Sequence, residues 1–251
     1  SAGGTEAVQR GGGIHFHRLK FRLSTEAGDA PDVLLDGLSL SVQTRTVGLE
    51  GFGMISEFFI GGTRLQEFAF ALRVRFEALK KRFDIGVGFF YGKATEADRS
   101  FNYWLFNLVL GCLPLGTTEA RNLRVLVAGN MRPRLPPVDG NPQPLRLFRW
   151  YKADGDVISM PLNRQLAKWE RFEDSFALGA GARMFLGGTK AVSLDVFFFV
   201  HSSPDEAGIF AALEVYLAKG EKPIAYGVLE IDFERGSWAV EIGIALGLDN
   251  V

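Results

Sequence analysis

Between Phe176 and Leu248 the chain alternates apolar and other residues with a period of two, and this most limits what it can fold into. Five segments carry the pattern: FALGAGARMFL (176–186), AVSLDVFFFVH (191–201), IFAALEVYLA (209–218), IAYGVLEIDFE (224–234) and WAVEIGIALGL (238–248). GGTK, SSPDEAG, KGEKP and RGS separate them. These connections are rich in turn formers and too short for a parallel crossover, so the spacing predicts an antiparallel β-meander.

Sorting by parity divides the meander into two faces. One holds Phe176, Leu178, Ala180, Ala182, Met184 and Leu186, then Val192, Leu194, Val196, Phe198 and Val200. It continues through Ile209, Leu213, Val215, Leu229 and Ile231 to Trp238, Val240, Ile242 and Ile244, without a charge. Such a face must leave water, since each large side chain buried contributes about 1.5–3 kcal/mol. Three arrangements achieve this: a soluble sandwich closed by the N-terminal strands, an outer-membrane barrel with the face toward lipid, or an open sheet lined for lipid. Short connections at both ends and weaker alternation upstream favour the sandwich, so we expect the clean face, Trp238 included, to be inside. The predicted class is mostly β: an antiparallel meander in a sandwich or barrel-like sheet, with one short helix.

Upstream, IHFHRLKFRL (14–23), VLLDGLSLSVQTRTV (33–47), FDIGVGFFYG, FNYWLFNLVLG and LRVLVAG read as further strands. EFAFALRVRFEAL (67–79) fits either a helical stripe or a strand. Strict alternation explains Phe70 and Val74, which the stripe omits, so a strand is expected. NRQLAKWERFE (163–173) is the best helical candidate, with Asn163 as its cap. Five prolines crowd residues 130–144, which denies ladder hydrogen bonds and marks a loop or linker. The expected organisation is a Gly-rich flexible lead-in (1–13), an N-terminal β-sheet region (14–129), this loop (130–144) and the C-terminal meander (145–251), with one domain overall as the alternative. Both ends read as cuts from a longer chain.

The charge balance of 28 basic and 29 acidic residues, net −1, gives no electrostatic reason to bind nucleic acid. The cluster Arg73, Arg75, Lys80, Lys81 and Arg82 reads as solvated strand and turn. No apolar run reaches the roughly 18–20 residues of a membrane helix. The single Cys112, in LVLGCLPLG, excludes an internal disulfide and reads as an inert thiol. Twenty-two Phe and thirty Gly favour extended, pleated structure.

No nucleotide, serine-hydrolase or zinc-protease motif occurs, so no cofactor is expected. GVGFFYG (86–92) lacks the spacing of a phosphate loop. Asp154–Gly155–Asp156 looks like the start of a calcium loop without its later ligands, and a hairpin turn is preferred. His15 and His17 share a strand face, but two histidines make a weak metal site, and none is assigned. The mixed face of the meander offers the candidate ligand-binding set: Arg183, Asp195, Phe197, Phe199, His201, Glu214, Tyr216, Tyr226, Glu230 and Glu241. Its acids Asp195, Glu214, Glu230 and Glu241 could form an acid–base pair if the register brings two together. Asp195 and His201 lie about 20 Å apart along one strand and cannot form a dyad.

LRVLVAGNMRPRLPP, LRLFRWYKADGD and SLDVFFFVHSSPDEAG, with the closing meander, resemble segments of large β-rich bacterial proteins catalogued as a domain of unknown function. The resemblance covers roughly residues 50–251, implies a piece of a longer bacterial chain, and carries no catalytic residues across. The expected function is a non-catalytic structural or interaction β module. Its partners would be other segments of the parent chain or other copies. A hydrophobic or lipid ligand-binding domain is the alternative, and a glycan-active enzyme using paired carboxylates is a third reading.

Overall fold

The computed structural model describes residues 11–22, 32–44, 46–78, 81–115, 118–135, 145–153, 162–186, 191–217 and 222–244. The N-terminal strands are β1 (Gly11–Arg22), β2 (Asp32–Gln43), β3 (Val47–Ile60), β4 (Thr63–Ala78), β5 (Lys81–Thr95), β6 (Ser100–Leu115) and β7 (Thr118–Pro133). Helices α1 (Arg146–Lys152) and α2 (Leu162–Leu166) follow. The meander is β8 (Trp169–Leu186), β9 (Val192–Ser202), β10 (Ala207–Leu217), β11 (Ala225–Asp232) and β12 (Ser237–Ile244). All twelve strands form one sheet in chain order, every neighbouring pair antiparallel. Among the described residues, β1 pairs only with β2 and β12 only with β11.

The expected strand over 67–79 is β4, and the alternation that distinguished it holds along its length. The helix expected over 163–173 is cut short. α2 ends at Leu166, Asn163 lies inside it rather than capping it, and the chain enters β8 at Trp169. Pairing of Trp169, Glu170 and Arg171 with Pro133, Arg132 and Met131 overrides the local helix propensity. β7 and β8, on either side of the proline-rich stretch, are ladder partners in the same sheet. Residues 154–161, which hold the Asp-Gly-Asp sequence, and 136–144 lie outside the described residues.

Between the two register shifts of the β7–β8 pair the ladder is continuous from edge to edge, so faces can be followed across it. One row runs Phe16–Leu38–Gly53–Phe70–Phe89–Phe106 from β1 to β6. It continues Val127–Leu178–Val200–Ile209–Ile231–Trp238 from β7 to β12. The adjacent row is Ile14–Leu40–Gly51–Leu72–Val87–Leu108, then Val125–Ala180–Phe198–Ala211–Leu229–Val240. Each row crosses all twelve strands without a charged or polar side chain.

From Leu38 and Ile14 onward these rows face outward, which corrects the expectation that the clean face is core. Trp238 is 74% exposed and Ile242 76%, and Phe198, Val196, Leu213 and Leu229 are exposed too. The reason is topological. The N-terminal strands continue the same sheet with the same parity, so their apolar side cannot fold over that of the meander.

The opposite side is concave. Four strand steps separate β4 from β8, about 19 Å along a flat sheet. Yet Arg171 Nε on β8 donates to Glu67 Oε1 on β4 at 3.0 Å, so the sheet curls until these strands approach across its interior. The core is on this side. Leu147, Trp150 and Tyr151 of α1 are buried against Phe197, Phe199 and Phe210 of β9 and β10.

Candidate functional site

The inner face holds almost all the buried polar residues, and two irregularities of the β7–β8 pair, the first a bulge in β7 and the second with its extra residues in β8, help to place them. One falls between Arg121 and Arg124, the other between Gly129 and Met131. The first lets both Arg121 and Arg124 face inward. Arg124 is the largest fully buried side chain, at 2% exposure. A glycine opposite makes room for it: any side chain at Gly181 would collide with Phe197 and crowd the Arg124 guanidinium.

From Arg124 a chain of charge-assisted contacts runs across β7–β10. Its Nη2 donates to Asp195 Oδ1 at 2.6 Å, its Nε to the Tyr151 hydroxyl at 3.1 Å, and its guanidinium lies 5.1 Å from the Phe197 ring centre. Arg183 Nε donates to Asp195 Oδ2 at 3.2 Å and stacks 4.0 Å from the Tyr216 ring centre. The Tyr216 hydroxyl donates to Glu214 Oε2 at 2.9 Å, and Lys152 Nζ donates to the same oxygen at 2.6 Å. Tyr151 and Lys152 belong to α1, so the network fastens the helix to the sheet.

The start of α1 is fastened differently. It has no acid in its first turn, and Leu145, at the capping position, has φ 60° and offers no side-chain bond. The Glu230 carboxylate of β11 supplies what the helix lacks. It accepts the Leu147 N–H at 3.2 Å and the Phe148 N–H at 3.0 Å, satisfying amide groups that a helix leaves without internal partners. A seven-residue helix is far too short to persist alone, so these contacts and the aromatic stack determine its place.

A second cluster joins β4, β6 and β8. The Tyr103 hydroxyl donates to Glu67 Oε1 at 2.7 Å, and Arg171 donates to the same carboxylate through Nε and Nη2. Gly92 of β5 stands between Glu67 and Tyr103 in the ladder, and a Cβ there would overlap the Tyr103 ring. At the rim, Arg132 pairs with Glu170 and with Asp205 in the β9–β10 turn, and Arg146 pairs with Glu206. Arg132 holds the Asp205 carboxyl below its ordinary range, whereas burial pushes Glu206 up.

The structure thus brings together Arg183, Asp195, Phe197, Phe199, Glu214 and Tyr216, with α1 packed against them. His201 is buried nearby, 6.3 Å ring to ring from Phe199. Tyr226 and Glu241 bond each other at 2.6 Å, at the β11–β12 edge. Asp195 and Glu214 are directly opposed in the ladder, but each carboxylate is engaged by its own cation. Glu230 is engaged by backbone amides instead. Sequence reasoning missed Glu67, Tyr103, Arg124, Tyr151, Lys152 and Arg171. A lone arginine in the apolar run LRVLVAG was the available signal for Arg124.

Of the other candidates, Arg73 is bound bidentately by Asp84 at 2.8 and 2.6 Å, and Arg75 pairs with Glu50. His15 and His17 sit opposite Ser39 and Gly37 in the β1–β2 ladder. Among the described residues, no group of three His, Cys, Asp or Glu side chains is placed to hold a metal, and no helix is long and apolar enough to cross a membrane. Trp150 and Trp169 pack edge to face in the interior, whereas Trp104 and Trp238 lie on the outer face.

A second feature of the inner face is a cavity of about 730 Å³ over β3–β7, under Leu162 and Leu166 of α2. No protein-family model matches the chain, and no curated protein or solved structure does either.

Proposed function

We propose that this chain is a membrane-embedded β-wall of the outer-membrane-barrel type, with a structural or interaction role, whose outward apolar rows meet lipid. The observation that carries the proposal is the pair of uninterrupted apolar rows crossing every strand on one side of a sheet, with Phe198, Leu229, Trp238 and Val240 exposed, while the other side buries Glu67, Arg124, Asp195, Glu214 and Glu230. A soluble protein seldom exposes a contiguous apolar surface of more than a few hundred Å². On β4 the outer face is apolar from Phe68 to Phe76, and on β5 from Phe83 to Tyr91. At the usual rise and a tilt of about 45°, such a run spans about 20 Å, close to the roughly 25 Å apolar band of these barrels.

Lipid tolerates no open sheet edge. With an even number of strands, β1 and β12 run antiparallel to each other, so mutual pairing would complete the wall.

Phe198 lies in the second row and is the residue to perturb. Facing lipid, Phe198→Arg costs about 2–4 kcal/mol of folding free energy in vesicles. On a water-exposed surface the same change stays within about 0.5 kcal/mol. A wild-type chain that is folded and monomeric in detergent-free buffer, and indifferent to Phe198→Arg, would overturn the proposal.

A further inference from the structure

We infer that the cavity over β3–β7 binds the acyl chain of a single-chain lipid whose head group carries no net charge. α1 fills the half of the inner face over β8–β11, and the other half is open beneath α2. The floor there is made of small side chains, Ala69, Ala71, Gly86 and Gly88, with Met54 on one flank and Leu162 overhead. At about 730 Å³, mostly apolar with a few polar groups, it has the size and character of a small-molecule site.

Two further features narrow the ligand. The cavity follows the strands through four successive inward rows, at Met54–Ala69, Phe52–Ala71–Gly88, Glu50–Arg73–Gly86 and Asp84–Gly111. At the usual rise that is about 20 Å, with the two rows at one end apolar and the two at the other carrying charge. This elongated amphipathic shape suits a lipid with its acyl chain over the first pair and its head group over the second. The polar end is charge-balanced. Arg73, the cation lining the cavity, is held by both oxygens of Asp84, and Glu50 by Arg75. A carboxylate or phosphate monoester would have to displace Asp84 to gain a cation. A zwitterionic or uncharged head has no such cost. The inference concerns the inner face and does not depend on whether the outer face meets lipid.

The test titrates detergent-solubilised protein with palmitoyl lysophosphatidylcholine and, separately, palmitate, read by native mass spectrometry. One lysophosphatidylcholine per chain is expected, with palmitate at least about tenfold weaker. Gly86→Leu and Ala71→Phe fill the floor and weaken binding by about tenfold or more. Gly86 tolerates the added carbon, because the nearest atoms to a new Cβ belong to Val109 at 3.9 Å. Val125→Phe, on the outer face, leaves binding unchanged. Absence of saturable binding, or binding that neither inner substitution alters, overturns the site. Palmitate binding more tightly than lysophosphatidylcholine overturns the head-group assignment.

Discussion

Glu230 does for α1 what the helix sequence does not do for itself, and removing it should release the start of the helix. In Glu230→Ala the N–H groups of Leu147 and Phe148 lose their acceptors in a site where Glu230 itself is 7% exposed. An unsatisfied buried donor costs about 1–3 kcal/mol, and loss of an N-cap about 0.5–2 kcal/mol. Together these give about 2–4 kcal/mol for local opening of α1. At 1.4 kcal/mol per decade, amide exchange at Leu147 and Phe148 should accelerate about 30- to 1,000-fold. Glu230→Gln keeps one acceptor oxygen and should produce roughly half the effect in free energy. Hydrogen exchange with peptide-level readout over residues 145–153 measures this directly. Exchange within about threefold of wild type in Glu230→Ala would refute the reasoning, because it would mean that the stack of Tyr151 on Phe197 holds the helix unaided.

Other consequences follow from the same geometry. Arg124→Met leaves Asp195 buried with Arg183 alone and should cost about 3–5 kcal/mol, whereas the Arg124→Met/Asp195→Leu double variant should recover part of that loss in a denaturant titration. Gly92→Ala drives a methyl into the Tyr103 ring and should cost about 1–3 kcal/mol, with Tyr103→Leu relieving it in the double variant. Asp205 is held below its ordinary value of 3.8 by Arg132, so its contribution is present above that value and is lost as pH falls through the lower folded value. Asp205→Asn should therefore lower stability by less than about 1 kcal/mol at neutral pH, and the difference should shrink in paired melts as pH falls below 3.8.

Much of the architecture could be read from the residues. Alternation located every strand of the meander and resolved 67–79 correctly, because Phe70 and Val74 fit only a period of two. It also separated Phe198 from Phe197 and Phe199. Parity divides residues into two sets but does not say which set faces inward. That depends on Glu67, Tyr103 and Arg171, which meet across separations of 36 and 104 residues. It depends also on α1, whose Trp150 and Tyr151 supply the interior that the N-terminal strands were expected to provide. Arg124 is inward by the same alternation as Leu126 and Ala128, but that the buried set of β7 includes a charge depends on Asp195 and Tyr151, 71 and 27 residues away. The short α2 was misjudged because the pairing of Trp169 and Arg171 with β7 is non-local.

The four tryptophans provide a direct test of whether the outward apolar rows meet lipid. Trp104 and Trp238 lie on the outer face, Trp150 and Trp169 inside. Single-tryptophan variants, with the other three replaced by Phe, are folded into vesicles whose acyl chains carry bromine. Strong quenching of Trp104 and Trp238 and little of Trp150 and Trp169 are expected. Bromine that leaves Trp238 bright, while aqueous iodide quenches it in a folded chain, would contradict this.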